Sequence, residues 1–298
     1  MSKTYKAYGL IIESDYNLDA LEEISSGASP DIRIKNGQVP EELEDCSDKG
    51  PFFQINPREY LLKLPRIANF YVAEGREVLV SKAQEADDKD VIAFLLSSVI
   101  AALLVQRGFL LLHASVIELD GEVVAFAGRS GAGKSTMATY LHKKGHRVLA
   151  DDIAVIKFEQ GIPHVLSGIL SVKLWKDMIQ AFELEAQHPV REGVEKYFYR
   201  VVGQVQEPIA LNKMVVIGIH NKENYKVEAI KGIMKFNLIK RNTFRYRLLK
   251  GMEKQQEHFK QANQLAGKID LYHLVRPRSK AAAEKSFNHL QEFWSHEA

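Results

Sequence analysis

Residues 128–136 read Gly-Arg-Ser-Gly-Ala-Gly-Lys-Ser-Thr and satisfy G-x-x-x-x-G-K-[ST] at every fixed position. Glycines at these places let successive backbone N–H groups wrap a phosphate chain, and a helix opening just after them adds favourable partial positive charge. Lys134 is placed to reach the β- and γ-phosphates, and Ser135 to offer a hydroxyl to Mg²⁺. Gly128, Ser130, Gly131, Ala132, Gly133, Lys134, Ser135 and Thr136 are therefore the expected nucleotide site, with ATP or another nucleoside triphosphate and Mg²⁺ as its ligands. Two carboxylates follow, Asp151 and Asp152. Neighbours at a strand end point to different sides, so one can face the metal while the other faces an incoming nucleophile; the plainer alternative is an Asp pair capping a turn. His113 lies 21 residues before Lys134, and on spacing alone it reads as a packed polar group on a strand.

These residues need elements to hold them. Leu110 to Glu118 reads as one strand, Asp120-Gly121 as a type I′ hairpin turn, and Glu122 to Ala127 as the strand that delivers the loop. A helix to about Lys144, closed by Gly145, leads to a short strand, His146 to Ala150, that ends at the Asp pair. Strand, loop, helix and strand predict a βαβ unit. Upstream, Val91 to Val105 is apolar apart from Ser97 and Ser98, and lies between an acidic helix start, Glu85 to Asp90, and an Arg107-Gly108 stop. At 15 residues it is too short to span a bilayer and reads as a buried helix. Earlier still, strand-like runs (Tyr5 to Ile12, Phe52 to Ile55, Tyr60 to Leu64, Phe70 to Ala73, Val78 to Val80) surround a polar stretch, Ser25 to Pro51, that reads as loop.

The chain of 298 residues, 46% hydrophobic, is long enough for one large domain or two ordinary ones. Its formal net charge of +2 argues against a dedicated nucleic-acid binder. The charge is unevenly spread: residues 1–88 hold 10 basic and 17 acidic side chains, and residues 89–298 hold 30 and 21. A small β-rich N-terminal unit over 1–88 and a nucleotide-binding unit over 89–298 are expected. A single cysteine, Cys46, excludes an internal disulfide framework, and Met1 to Leu10 has no apolar signal core, so the expected location is the cytoplasm, with no membrane partner.

Taken together, Leu112-His-Ala-Ser115, the hairpin, the loop and Lys144-Gly-His-Arg-Val-Leu-Ala-Asp-Asp152 resemble the HPr kinase/phosphorylase family. The likeness is nearer to its relatives beside ribosomally made peptide pathways, including lasso peptide precursor kinases. The specific match covers residues 109–156, and Tyr8-Gly-Leu-Ile-Ile-Glu-Ser14, the Leu95 to Gly108 helix and Arg276-Pro277 add a weaker likeness. The resemblance implies an α/β fold: a P-loop kinase domain of HPr kinase type, phosphoenolpyruvate carboxykinase-like, behind the small β-rich unit. It implies transfer of the γ-phosphate of ATP to a serine hydroxyl of a peptide or protein, with no nucleic-acid or membrane partner. A homo-oligomer is compatible with the sequence but not fixed by it. Carried over by position, Asp151 resembles the carboxylate that accepts the serine proton and Asp152 a Mg²⁺ ligand. His113 resembles a histidine near the transferred phosphate, and Lys134 and Ser135 keep the phosphate and Mg²⁺ roles. Two other classes compete: a kinase of free serine or a sugar, and a nucleotide-binding regulator without transferase activity.

Three further segments carry charge. Glu195-Lys-Tyr-Phe-Tyr-Arg200 joins aromatic and basic residues, and reads equally as a strand edge or a phosphate or peptide contact. Residues 231–260 hold nine basic and two acidic side chains on an expected helix, a solvated face or a docking surface for an acidic substrate. Arg276 and Arg278 follow a strand run and are candidates to reach phosphate. The chain departs from the family where a glutamate-containing signature contributes to the metal site: Leu166 to Trp175 has no glutamate, and Thr136 stands where an acidic residue is common. Forward transfer without efficient phosphate removal is the expected consequence. A purified serine-phosphorylated peptide incubated with the protein, Mg²⁺ and phosphate or pyrophosphate should keep its mass, and removal as fast as forward transfer would contradict this.

Overall fold

The computed structural model describes residues 2–25, 27–169, 171–185, 189–190, 195–201, 207–278 and 282–297. Among these the strands gather into sheets of nine, six, four and two in a mixed α/β architecture. The nine-stranded sheet takes the strands from Lys3–Ala7 to Glu77–Lys82. Two expectations change there. The Tyr5 to Ile12 run is a hairpin, Lys3–Ala7 against Leu10–Ser14, because Tyr8 and Gly9 take positive φ (56° and 69°) and turn the chain. The polar stretch from Ser25 to Pro51 contains the strands Ile32–Asn36 and Asp48–Gly50. In Ile-Arg-Ile-Lys-Asn, alternate residues Ile32 and Ile34 are buried, which is enough to bind the strand into the sheet.

The apolar segment is a helix throughout, Asp88–Phe94 and Ile100–Gln106 joined by a π-helical stretch, Leu95–Val99. Asp87 caps it by accepting from the Lys89 N–H. Gly108 ends it with φ 81°, its N–H donating to the Val105 carbonyl while Phe109 N–H donates to Leu104. Every residue from Ile100 to Val105 is buried, in one cluster with Tyr5, Ile12, Phe70 and Val80 of the N-terminal sheet. No helix among the described residues is long and apolar enough to cross a membrane.

The six-stranded sheet holds the phosphate loop. Its order is Arg147–Ala150, Ala114–Leu119, Glu122–Gly128, Lys213–His220, Asp270–Pro277, Lys226–Ala229. Glu122–Gly128 runs parallel to Lys213–His220, which runs parallel to Asp270–Pro277. Ala114–Leu119 is antiparallel both to Glu122–Gly128 and to Arg147–Ala150. The expected βαβ unit is thus a split one: its two strands point the same way, with Ala114–Leu119 inserted between them. The consequence is functional, since Gly128, Ala150 and Pro277 all end at the edge where Ala114 begins. Both faces of Glu122–Gly128 are buried: Val123, Ala125 and Ala127 pack with Ala262 and Leu265, and Val124 and Phe126 pack with Met137, Leu141 and Leu290. Period-two burial on both sides explains why this strand reads as a continuous apolar run.

The Leu110 to Glu118 run is also two strands. Leu110–Leu112 pairs with Ala154–Glu159 in the four-stranded sheet, while Ala114–Leu119 belongs to the six-stranded one. His113 is the residue where the chain changes sheet. The N-terminal hairpin turn docks at Ser167 and Gly168: the Tyr8 N–H donates to the Ser167 carbonyl at 2.7 Å, and the Tyr8 ring lies so close to Gly168 that an added Cβ would meet it at 2.2 Å. Gly168→Ala should therefore cost about 1–3 kcal/mol by overpacking. Tyr8→Phe should be neutral or stabilising, because the buried Tyr8 hydroxyl has no hydrogen-bond partner among the described residues. Urea denaturation of both variants checks this; a wild-type midpoint for Gly168→Ala, or a large loss for Tyr8→Phe, would contradict it.

Candidate active site

The loop leaves the strand at Gly128, whose φ is 143° and where a Cβ would meet the Ile217 carbonyl oxygen at 2.6 Å. It enters the helix Lys134–Lys143 at Gly133, with φ 104° and the Arg276 guanidinium 2.9 Å from where a Cβ would stand. Arg276 donates from Nε and Nη2 to the Ala132 carbonyl at 3.2 and 2.8 Å, fixing the loop to the end of Asp270–Pro277. No side chain caps the helix start, so its first N–H groups face the loop. Lys134 folds back into that concavity, where Nζ donates to the Gly128 and Arg129 carbonyls at 3.1 and 3.4 Å and lies 3.0 Å from His113 Nε2. Burial, with Lys196 adding, holds the Lys134 ammonium below the usual lysine range, against the pull of Asp151 and Asp152.

His113 sits at the sheet change with its backbone N–H on the Asn242 carbonyl at 2.7 Å. Its Nδ1 is 3.0 Å from the Asp152 carbonyl oxygen and 3.4 Å from Asp152 Oδ1. With an ammonium donor at Nε2 and a carbonyl acceptor at Nδ1, the network assigns the neutral Nδ1–H tautomer. Burial first, and then the Lys134 charge, lower the His113 pKa, which agrees with a neutral ring.

The two aspartates have unlike surroundings. Asp151, only 4% exposed, accepts at Oδ1 from Ser115 Oγ (2.5 Å) and Ser135 Oγ (2.9 Å), and at Oδ2 from the Lys173 N–H (3.0 Å). Asp152 has φ 69°, and its more open carboxylate pairs with the Lys173 ammonium at 2.9 Å. Burial works to raise the Asp152 pKa; Lys173, then His113 and Lys196, outweigh it and hold the carboxyl at about 2. The carboxylate beside the Ser135 hydroxyl is Asp151, while the Mg²⁺ ligand that the resemblance implies is Asp152. Lys173 was not singled out from the sequence. It lies in the stretch noted for lacking glutamate, and brings an ammonium to the Asp pair. Tyr8 was also missed as a site neighbour, although its buried phenol lies within the electrostatic reach of Asp152.

Ser135 and Asp151 fit a hard divalent ion. Mg²⁺ characteristically takes one or two protein oxygens and completes its shell with substrate phosphates and water. No group of three or more His, Cys, Asp and Glu side chains converges among the described residues.

Two cavities flank the loop. One, of about 1030 Å³, is lined by Ser130, Gly131, Gly133, Thr136, Trp175, Arg276 and Arg278. The other, of about 260 Å³, is lined by Gly128, Arg129, His113, Phe244 and two further arginines. Glu195 also borders the larger one, and Lys196–Arg200 pairs with Ser171–Trp175 beside it, the Lys196 ammonium resting over the Trp175 ring.

No protein-family model matches the chain. It is 29% identical over 162 residues to HPr kinase/phosphorylase 1 of Oceanobacillus iheyensis, a match covering 53% of this chain and 42% of the relative. Over 67 residues it is 40% identical to HPr kinase/phosphorylase of Clostridium tetani, covering 21% of this chain and 22% of that one. The chain thus spans less than half the length of these curated relatives. Among solved structures, the Hpr(Ser) kinase/phosphatase from Coxiella burnetii aligns with a TM-score of 0.28 and 14% identity, covering 63% of this chain and 94% of that one.

The Asp152 carboxyl has a folded pKa below its unfolded value of about 4, so its stabilisation is complete above about pH 4 and is lost as pH falls through about 2. Asp152→Asn should lower the neutral-pH stability by about 1–3 kcal/mol and flatten the acid limb, because Lys173 loses its counter-charge. Urea midpoints between pH 2.5 and 7 test this; a wild-type and variant difference that stays constant over that range would contradict it.

Proposed function

We propose that this chain is an ATP- and Mg²⁺-dependent kinase that transfers the γ-phosphoryl group to a serine hydroxyl of a peptide or protein, a lasso-type precursor peptide being the narrower candidate. The observation that carries the reading is a pair of cavities that share one phosphate loop, the smaller lined by His113, whose ring meets Lys134 on one side and Asp152 on the other. The larger cavity, at the top of the roughly 300–1,000 Å³ range of ligand sites, suits a nucleotide; the smaller gives an acceptor its own approach. A regulator that only binds nucleotide has no use for the second. The curated relatives, named as kinases of HPr, support a protein acceptor.

In this reading the serine oxygen attacks the γ-phosphorus, the bond from γ-phosphorus to the β-bridging oxygen breaks, ADP leaves, and the serine proton passes to a carboxylate. Asp152 is that carboxylate. Asp151 is buried and already accepts three hydrogen bonds, whereas Asp152 stands beside His113, which lines the acceptor cavity. A carboxylate of low pKa suffices, because the proton moves late in a loose transition state and positioning carries most of the catalysis. Ser135 and Asp151 would hold Mg²⁺, which when bound neutralises developing charge on the phosphates. Lys134 neutralises phosphate charge on leaving its present contacts with loop carbonyls. His113, with Nδ1 3.0 Å from the Asp152 backbone carbonyl and 3.4 Å from its Oδ1, holds that residue in place.

A cavity of about 260 Å³ also accommodates a small hydroxyl compound, so phosphorylation of free serine or a sugar without any peptide would select the small-molecule reading. The decisive variants separate the carboxylates. Asp152→Asn should reduce transfer by about 10²–10³-fold with nucleotide affinity unchanged, the scale expected for a lost general base. Asp151→Asn should raise the Mg²⁺ concentration needed for half-maximal rate, and Lys134→Ala should abolish transfer in a folded protein. A shifted Mg²⁺ titration in Asp152→Asn with an unchanged one in Asp151→Asn would reverse the assignment, and activity retained by Lys134→Ala would remove the phosphate loop from the reaction.

A further inference from the structure

The basic stretch 231–260 divides once its partners are known. Lys235 donates to the Ile269 carbonyl, Arg247 pairs with Asp48, and Lys254 pairs with Glu257. Arg241 and Arg245 have no acidic partner among the described residues, and both line the smaller cavity, together with Arg129 from the phosphate loop.

Their position is built rather than incidental. The helix Ile233–Arg241 ends at Asn242, which is 8% exposed, and the following turn is laced to the strand that carries His113. His113 N–H donates to the Asn242 carbonyl at 2.7 Å, Phe244 N–H donates to the Leu111 carbonyl at 2.9 Å, and Leu112 and Thr243 form an isolated bridge. Arg245 has φ 45°, a conformation a non-glycine residue keeps only where its surroundings impose it. Its guanidinium lies 5.5 Å from the centre of the Phe244 ring, and that ring is itself 5.7 Å from the His113 ring. A guanidinium held over an aromatic face keeps its N–H edges available for an oxyanion.

We propose that Arg241 and Arg245 form a subsite for an anionic oxygen group, a carboxylate or a phosphate, carried by the acceptor peptide within a residue or two of the serine. The inference rests on the phosphotransfer reading and narrows its substrate class. Three guanidinium groups with no carboxylate in the lining make the cavity a strongly positive place, and planar forks match such groups bidentately. Its volume of about 260 Å³ limits the occupant to a small group, here the part of the acceptor next to its serine. Lys134 and the loop amides serve the donor's phosphates, which leaves these arginines for the acceptor.

The test uses the full chain saturated with a non-hydrolysable ATP analogue and Mg²⁺. Three fluorescent nine-residue peptides share a central serine: one flanked by glutamates, one by glutamines, one by phosphoserines. The glutamate or the phosphoserine peptide should bind about tenfold or more tightly than the glutamine one, and the tighter of the two identifies the group. The double substitution Arg241→Gln and Arg245→Gln should erase the preference while leaving analogue affinity unchanged. Arg241→Gln alone, at the exposed end of its helix, should weaken the preference and carries the test if the double variant does not fold. Equal binding of all three peptides by the wild type, or a preference that survives the substitutions, overturns the subsite. The two readings fail separately. A preference abolished in the variant but without transfer to any peptide refutes the kinase and keeps the subsite, while equal transfer to neutral peptides does the reverse.

Discussion

Everything at the loop edge of the six-stranded sheet depends on one buried carboxylate. Asp151 takes hydrogen bonds from Ser115 at the start of Ala114–Leu119, from Ser135 in the first turn of the loop helix and from the backbone of Lys173 in Ser171–Trp175. Four segments distant in sequence thus meet on two oxygens. A carboxylate removed from water is costly unless it finds hydrogen-bond donors, and two hydroxyls and an amide supply three here. Those bonds fix Asp151 in place, while its neighbour Asp152 faces His113 and Lys173, and the pair is asymmetric. The strand insertion matters for the same reason: with Ala114–Leu119 between the two parallel strands, Ser115 and His113 arrive at the edge where the loop begins.

The loop was legible because its motif is a backbone requirement written in glycines; Gly128 and Gly133 stand where a Cβ meets a carbonyl or a guanidinium. The helix Asp88–Phe94 and its extension were legible from acidic start, apolar body and glycine stop. Other features could not be read. Leu110 to Leu119 is apolar on both sides of His113, and hydrophobicity carries no record of a change of sheet. Ile32 and Ile34 alternate within a stretch crowded with turn-forming residues, so two buried side chains were outweighed by composition. The unlike surroundings of Asp151 and Asp152 depend on which side each points, and φ 69° at Asp152 accompanies its tertiary contacts. Lys173 has no sequence signal either, because a lysine inside an apolar strand run shows its carboxylate partner only in the fold.

The same logic governs the basic region. Nine positive side chains on a helical stretch look uniform in sequence, yet only their tertiary partners separate the ion-paired from the available. Backbone bonds between 242–244 and 111–113 attach that region to the histidine, so the smaller cavity owes its shape to two segments more than a hundred residues apart. The larger cavity is made differently, by the ends of strands and by Trp175, Arg276 and Arg278 around the glycines.

Whether the two cavities beside the phosphate loop take donor and acceptor, as proposed, is tested most directly by a crystal structure with a non-hydrolysable ATP analogue and Mg²⁺. The account predicts the nucleoside in the cavity lined by Trp175 and Arg276, and the terminal phosphate beside Lys134 and directed towards His113. It also predicts the ion on Ser135, with Asp151 beside it. A nucleoside seated among Arg241, Phe244 and Arg245, or an ion held by Asp152 in place of Asp151, would contradict it.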